Sequence, residues 1–118
     1  MHELSVCQAM LEQVESLAAE HNAAGVTTIK VAIGPLSGVE AQLLAQAFPI
    51  AAAGTLAANA VLEIDVTPIR VRCRRCGAES AASVSKLICG ECGDWQTTII
   101  SGDEMLLASV ELEKKTTS

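Results

Sequence analysis

Met1-His2-Glu3 brings an α-amine, an imidazole and a carboxylate together at the start of the chain. That is a chelating group. From the terminal amine, the His2 backbone nitrogen closes a five-membered ring and the His2 imidazole a six-membered one. Glu3 can add a further nitrogen or oxygen. A set of nitrogens favours a square-planar ion, Ni(II) or Cu(II), over tetrahedral zinc. The amine titrates near pH ~8 and the imidazole near ~6.5, so affinity should fall below neutral pH. An open site of this kind can release its ion, which suits delivery better than catalysis. The plainer reading is that Glu3 stabilises a helix start through its dipole and His2 is a solvated end residue.

The second metal signal is stronger. Cys73-x-x-Cys76 is followed, twelve residues later, by Cys89-x-x-Cys92. Two such turns can aim four sulfurs at one point. Gly77 and Gly93, just after each pair, let the backbone turn back toward the sulfur. Zinc prefers this four-thiolate tetrahedron, with Zn–S near roughly 2.3 Å, and leaves no position for a catalytic water. The site is therefore structural, and folding of the segment should require metal. Arg72, Arg74 and Arg75 are expected to offset the negative charge of the four thiolates. The alternatives are two disulfides, a rubredoxin-like iron site for electron transfer, or a zinc-ribbon adaptor that binds nucleic acid or protein through Arg70 to Arg75. Cys7 lies on an apolar helix stripe and reads as a small core residue. His21 reads as a helix-end cap and Glu40 as a dipole partner in the first turn of a helix. No catalytic triad, carboxylate pair or phosphate-cradling loop stands out, so the chain does not read as an enzyme.

These groups must be positioned by a small set of elements. Leu4 to about His21 has an amphipathic helical pattern, with Leu4, Cys7, Leu11, Val14 and Ala18 on one face and Glu12 and Glu15 outward. Thr27 to Ile33 alternates as a strand with Ile29, Val31 and Ile33 inward. Val39 to about Ala53 is a second helix, in which Pro49 should produce a kink near Ala45. Ala60 to Thr67 is a strand with Leu62, Ile64 and Val66 buried. Ile69 to Ser101 holds the cysteines. Leu106 to Leu112 is the last strand, with Leu106, Ala108, Val110 and Leu112 on one face. Lys114 to Ser118 reads as a disordered polar tail. The expected fold is α+β: a three-stranded mixed sheet covered on one face by two helices, with a zinc-ribbon-like four-cysteine module inserted before the last strand. Residues 1–68 and 106–118 form one discontinuous domain and residues 69–105 the other.

Composition sets the bounds. A chain of 118 residues, half of them apolar, can build a modest core. With only Phe48 and Trp95 as aromatics, that core is aliphatic. The formal charge is -6, and four of the eight positive residues are Arg70, Arg72, Arg74 and Arg75. An acidic remainder argues against general nucleic-acid or membrane binding and suits cations or a basic protein partner. No targeting segment and no membrane-spanning run is evident. Paired cysteines without a secretory signal indicate a cytoplasmic metal protein.

The triplet Met1-His2-Glu3 with Leu4-Ser5, the segment from Val31 through Gly34-Pro35-Leu36-Ser37-Gly38 to Glu40, the paired cysteines, and Ser101-Gly102-Asp103-Glu104 before a final strand together resemble the HypA/HybF family. These are nickel-incorporation proteins of [NiFe]-hydrogenase maturation, and the resemblance spans nearly the whole chain. It implies a nickel-binding domain and a zinc-binding domain. Nickel would be held by Met1, His2 and Glu3, and zinc by Cys73, Cys76, Cys89 and Cys92. It implies a HypB-type GTPase partner and delivery to the hydrogenase large subunit, with urease served in some members, and it leaves room for a homodimer. This chain departs from some relatives in having no histidine between Cys73 and Cys92, so a swap of zinc ligands from Cys to His is not expected. Pro49 is also unusual for the family.

Overall fold

A computed structural model describes residues 2–114, with the side chain of His2 outside the description. The elements are α1 (His2–Glu20), β1 (Ala23–Ile33), α2 (Ala41–Ala52), β2 (Val61–Val66), β3 (Arg70–Cys73), β4 (Glu79–Ala81), β5 (Thr97–Ser101) and β6 (Met105–Lys114). Cys7, Met10, Leu11, Val14 and Ala18 recur at helical spacing and are all buried, so the apolar stripe of α1 forms its core face. The helix stops because Asn22 takes a left-handed conformation, φ 51, which asparagine tolerates better than most residues. It begins two residues earlier than the sequence pattern suggests, which places Glu3 in its first turn.

The main sheet has the order β2-β1-β6. β1 is central, parallel to β2 and antiparallel to β6, so the sheet is mixed as expected. Ile29, Val31 and Ile33 point from β1 into one core with Leu44, Phe48 and Ala52 of α2. Burying each such large aliphatic side chain contributes roughly 1.5–3 kcal/mol. Leu62 and Ile64 of β2 pack against the same core.

The inward face of β6 differs from the alternating pattern. Met105, Leu107, Val110 and Leu112 pack on the core, while Leu106 and Ala108 are exposed. The pairing supplies the reason. Val31 faces Leu107 and Lys30 faces Ser109, so Ala108 is an extra residue, a β-bulge that reverses the parity of the strand. Val66, expected inside, is 64 % exposed at the end of the edge strand β2, although its partner Ile33 on β1 is buried. Lys114, expected in the tail, closes β6 opposite Ala23; the remaining tail residues 115–118 lie outside the described residues.

Helix α2 stays helical through Pro49. The carbonyl that Pro49 cannot satisfy belongs to Ala45, and both residues are solvent-exposed, so water can serve that group. The two helices run side by side in the same direction. Glu40 N–H donates to Glu3 Oε2 at 3.4 Å and the Cys7 thiol to the Leu44 carbonyl at 3.7 Å, each across 37 residues.

The inserted module is a second sheet, β4-β3-β5, antiparallel throughout. It makes the molecule long, 64 × 29 × 17 Å, with a radius of gyration of 18.0 Å. Two chain crossings join it to the body, and they are tightly bound. Thr67 N–H donates to Ile33 O, Leu36 N–H to Gly102 O at 2.7 Å, and Gly34 N–H to Glu104 O at 2.8 Å. A side chain at Gly34 would sit 2.1 Å from the Gly102 backbone, and one at Gly102 would sit 2.8 Å from Ile69.

Candidate metal centres

In the cysteine module, β3 delivers Cys73 at its end and a turn carries the chain to Cys76. The same turn is repeated at Cys89 and Cys92. In the first, Cys73 N–H donates to Ala78 O and Gly77 N–H to Cys73 O; in the second, Cys89 N–H donates to Asp94 O and Gly93 N–H to Cys89 O. Gly77 and Gly93 sit at φ 79 and φ 76, a backbone region that disfavours side chains. Each turn aims two further N–H groups at its first sulfur. Arg75 and Cys76 donate to Cys73 Sγ, both at 3.3 Å, and Glu91 and Cys92 donate to Cys89 Sγ at 3.3 and 3.4 Å. The glycine N–H itself therefore goes to a carbonyl, and its neighbours serve the sulfur.

The four sulfurs lie within 4.8 Å of one another, with Cys73–Cys92 and Cys76–Cys89 separations of 3.6 Å. A tetrahedral four-thiolate zinc site has edges of about 3.8 Å, given the usual Zn–S length. The arrangement thus fits a tetrahedral ion. No pair is joined as a disulfide. Cys73 and Cys89 are buried and Cys76 and Cys92 exposed, so one edge of the tetrahedron faces solvent.

The thiols are polarised in the same pattern. The N–H of Cys76, against the opposing effect of burial and with help from Arg75 N–H, lowers Cys73 to about 7. The N–H groups of Cys92 and Glu91 lower Cys89 likewise. At Cys92 the Asp94 N–H pulls down, but the neighbouring sulfurs prevail and push the thiol up to about 12; Cys76 is raised in the same way. What faces the sulfurs is thus main chain. The arginine side chains turn elsewhere: Arg72 pairs with Glu79 at 2.6 Å, Arg75 with Asp94 at 3.3 Å, and Arg74 Nε donates to Thr98 Oγ1. The arginines expected to offset the cluster's charge make their side-chain contacts with Glu79, Asp94 and Thr98, and the donors that meet the sulfurs are backbone N–H groups.

At the other site, Met1 and the side chain of His2 lie outside the described residues. Glu3 is described, and its side chain is buried at 8 % exposure. Its carboxylate meets the start of α2, where Glu40 is the N-cap residue and offers no side-chain cap of its own. Glu3 therefore supplies negative charge where two helices begin, which the dipoles of both favour. Glu40 precedes α2 and does not lie in its first turn, contrary to the sequence reading. Its contribution here is a backbone N–H, and residue type gives no signal of that. Cys7 is buried in the core, as expected, and its thiol is pushed up by burial and then by the Glu3 carboxylate. His21 is exposed in the turn after α1.

Comparison with known proteins adds to this geometry. The sequence profile of a family described as hydrogenase/urease nickel incorporation, metallochaperone, hypA, matches residues 1–112. A hydrogenase maturation factor HypA from Nitrosospira multiformis is 47 % identical over 112 residues, covering 95 % of this chain and 97 % of its own. The solution structure of a HypA protein superposes with a TM-score of 0.74 at 25 % identity, covering 98 % of both chains. The solution structure of the Ni metallochaperone HypA from Helicobacter pylori shares the fold, with a TM-score of 0.70 at 24 % identity over 96 % of this chain and 98 % of that one.

Proposed function

Because the chain belongs to the HypA family of nickel-incorporation metallochaperones and hydrogenase maturation factors, we propose that it binds Ni(II) at Met1, His2 and Glu3 and hands it, with a HypB-type GTPase, to the [NiFe]-hydrogenase large subunit. Residues 1–68 and 106–118 serve nickel, and residues 69–105 hold structural zinc at Cys73, Cys76, Cys89 and Cys92. The protein transfers an ion and catalyses no reaction of its own.

The observation that carries this reading is the position of Glu3. Its side chain is anchored at the start of α2, so the triplet rests on a fixed base from its third residue onward. Its backbone nitrogen and that of His2 lie in the opening turn of α1, where a helix's own ladder uses carbonyl oxygens rather than N–H groups. Binding through these nitrogens therefore need not unwind the helix. Nitrogen ligands in this number suit square-planar nickel, whereas the four sulfurs suit zinc. The two sites are chemically sorted.

Calorimetric nickel titration of the native chain, of His2→Ala and of a form with residues added before Met1 tests the reading. Both altered forms should lose tight nickel binding while zinc content stays unchanged. Equal binding by all three would remove the proposed site. The adaptor reading through Arg70 to Arg75 loses weight because Arg72 and Arg75 are engaged with acids of their own module. Among the described residues, no helix is long and apolar enough to cross a membrane.

A further inference from the structure

Helix α2 has no charged residue among its twelve. Its core face is Leu44, Phe48 and Ala52, yet Leu43 and Ile50 stand 42 % and 70 % exposed on another side. Leu43, Ala47 and Ile50 recur at the spacing of one helical face, so they form a second apolar stripe. With Leu4 of α1 they line a groove that starts at Glu3. Farther along, the same interhelical surface is walled by Glu12 and Glu15 on α1. The two helices contain no lysine or arginine. An exposed apolar strip with a one-sided acidic wall marks an interaction surface rather than ordinary solvated helix.

We propose that this groove receives an α-helix of the partner GTPase, one bearing an apolar stripe flanked by lysine or arginine. The proposal rests on the delivery reading above and names the face that reading requires. Both walls are helices and neither is a sheet edge, so the groove presents chiefly side chains and no open backbone ladder. That selects a helix laid in a groove over an added strand. Charge selects a basic flank, because Glu12 and Glu15 would repel an acidic one. A second copy of this chain is a poor occupant: among the described residues its arginines lie on β3 and the following turn, and neither helix is basic. An anionic lipid surface is disfavoured by the same carboxylates. Because the groove starts at Glu3, a helix seated there lies beside the chelating end.

The test uses the zinc-loaded full chain and the purified GTPase, with affinity read by calorimetry at two salt concentrations. Ile50→Asp should weaken binding about tenfold, the effect of losing one buried aliphatic contact. The double change Glu12→Lys and Glu15→Lys should weaken it about tenfold at low salt and flatten the salt dependence. All three positions are exposed, and circular dichroism should show unchanged helix content. His2→Ala should abolish nickel binding and leave GTPase affinity intact. GTPase binding that neither groove variant weakens overturns the proposal, as does the absence of any binding by the native chain. Self-association of the native chain, lost in Ile50→Asp while GTPase binding persists, assigns the groove to a second copy and also overturns it. A native chain that takes no nickel but loses GTPase binding in both variants defeats the delivery reading and upholds the groove.

Discussion

In the cysteine module, each sulfur-bearing turn is shaped by hydrogen bonds that reach no more than five residues past its first cysteine, Cys73 to Ala78 and Cys89 to Asp94. At the start of α1, the N–H that meets the Glu3 carboxylate comes from Glu40, 37 residues away. The first site is encoded locally and twice. The second depends on two helices having packed side by side. A local site of this kind would lean on a bound ion, because the segment around it has little apolar core beyond Ile69 and Val71. A site built by tertiary packing leans on the core beneath it, here Cys7, Val14, Ile29 and Leu44. The two regions should therefore fail separately and for different reasons.

Removing zinc with a strong chelator, or changing Cys73 and Cys89 together to serine, is the harshest way to separate them. Structural zinc contributes apparent binding energies of about 10–16 kcal/mol in small zinc modules. Amide protection over β3, β4 and β5 should collapse, while amides of Ile29 and Val31 stay protected. Uniform loss in hydrogen exchange across both sheets would mean the body is not independent.

Gly34→Ala attacks the seam between the regions. Its Cβ would lie 2.1 Å from the Gly102 carbonyl, and the obstacle is backbone that cannot rotate away. A loss of about 3 kcal/mol is expected from the forced overpacking. It should appear as a lower denaturant midpoint for the body. A midpoint equal to the native one would show that the crossing is loose.

The pH dependence of zinc loading sharpens the contrast within the local site. Within the folded turn, Cys73, at about 7, is largely thiolate above neutral pH and costs a proton to load below it. Cys92, at about 12, must expel a proton throughout. Proton release per zinc should therefore rise as pH falls through 7, and apparent affinity should fall with it. Titration in buffers of different ionisation enthalpy measures this. An apparent affinity that does not fall between pH 8 and pH 6 would contradict loading that displaces thiol protons.

The smallest effect concerns the tertiary site. Glu3→Gln keeps an acceptor for Glu40 N–H but removes the charge from two helix starts. A loss of about 0.5–1 kcal/mol is expected, partly screened by salt. Zinc binding should not change. A thermal midpoint unaffected at low salt would show that the dipoles do not use this carboxylate.

Much was readable from residue order because the signals were local. The cysteine spacing with Gly77 and Gly93 foretold the knuckles. The stripe Cys7, Leu11, Val14 and Ala18 foretold the buried face of α1, and Ile29, Val31 and Ile33 the inward face of β1. The failures were nonlocal. Alternation along Leu106 to Leu112 looked unbroken, and only pairing with β1 reveals that Ala108 is an extra residue. Val66 continues the pattern of Leu62 and Ile64 but is exposed on the edge strand, beside the buried Ile33 of β1. The arginines beside the cysteines are close in sequence, yet alternation along β3 turns Arg72 away from Cys73 and toward Glu79.

The sequence alone carried the side-chain chemistry: four cysteines at zinc spacing, an amine, an imidazole and a carboxylate in the first three residues, an acidic body and an aliphatic core. These follow from side-chain type and from turns of six residues, Cys73 to Ala78 and Cys89 to Asp94. Tertiary structure decided the rest. It set which faces are buried once β-bulges had shifted the register, and it brought Glu40 to Glu3. It pressed Gly34 against Gly102 and left Leu43 and Ile50 facing outward beside Glu3. Such outcomes depend on how separate elements pack, and packing is a property of distance in space that adjacency along the chain does not encode.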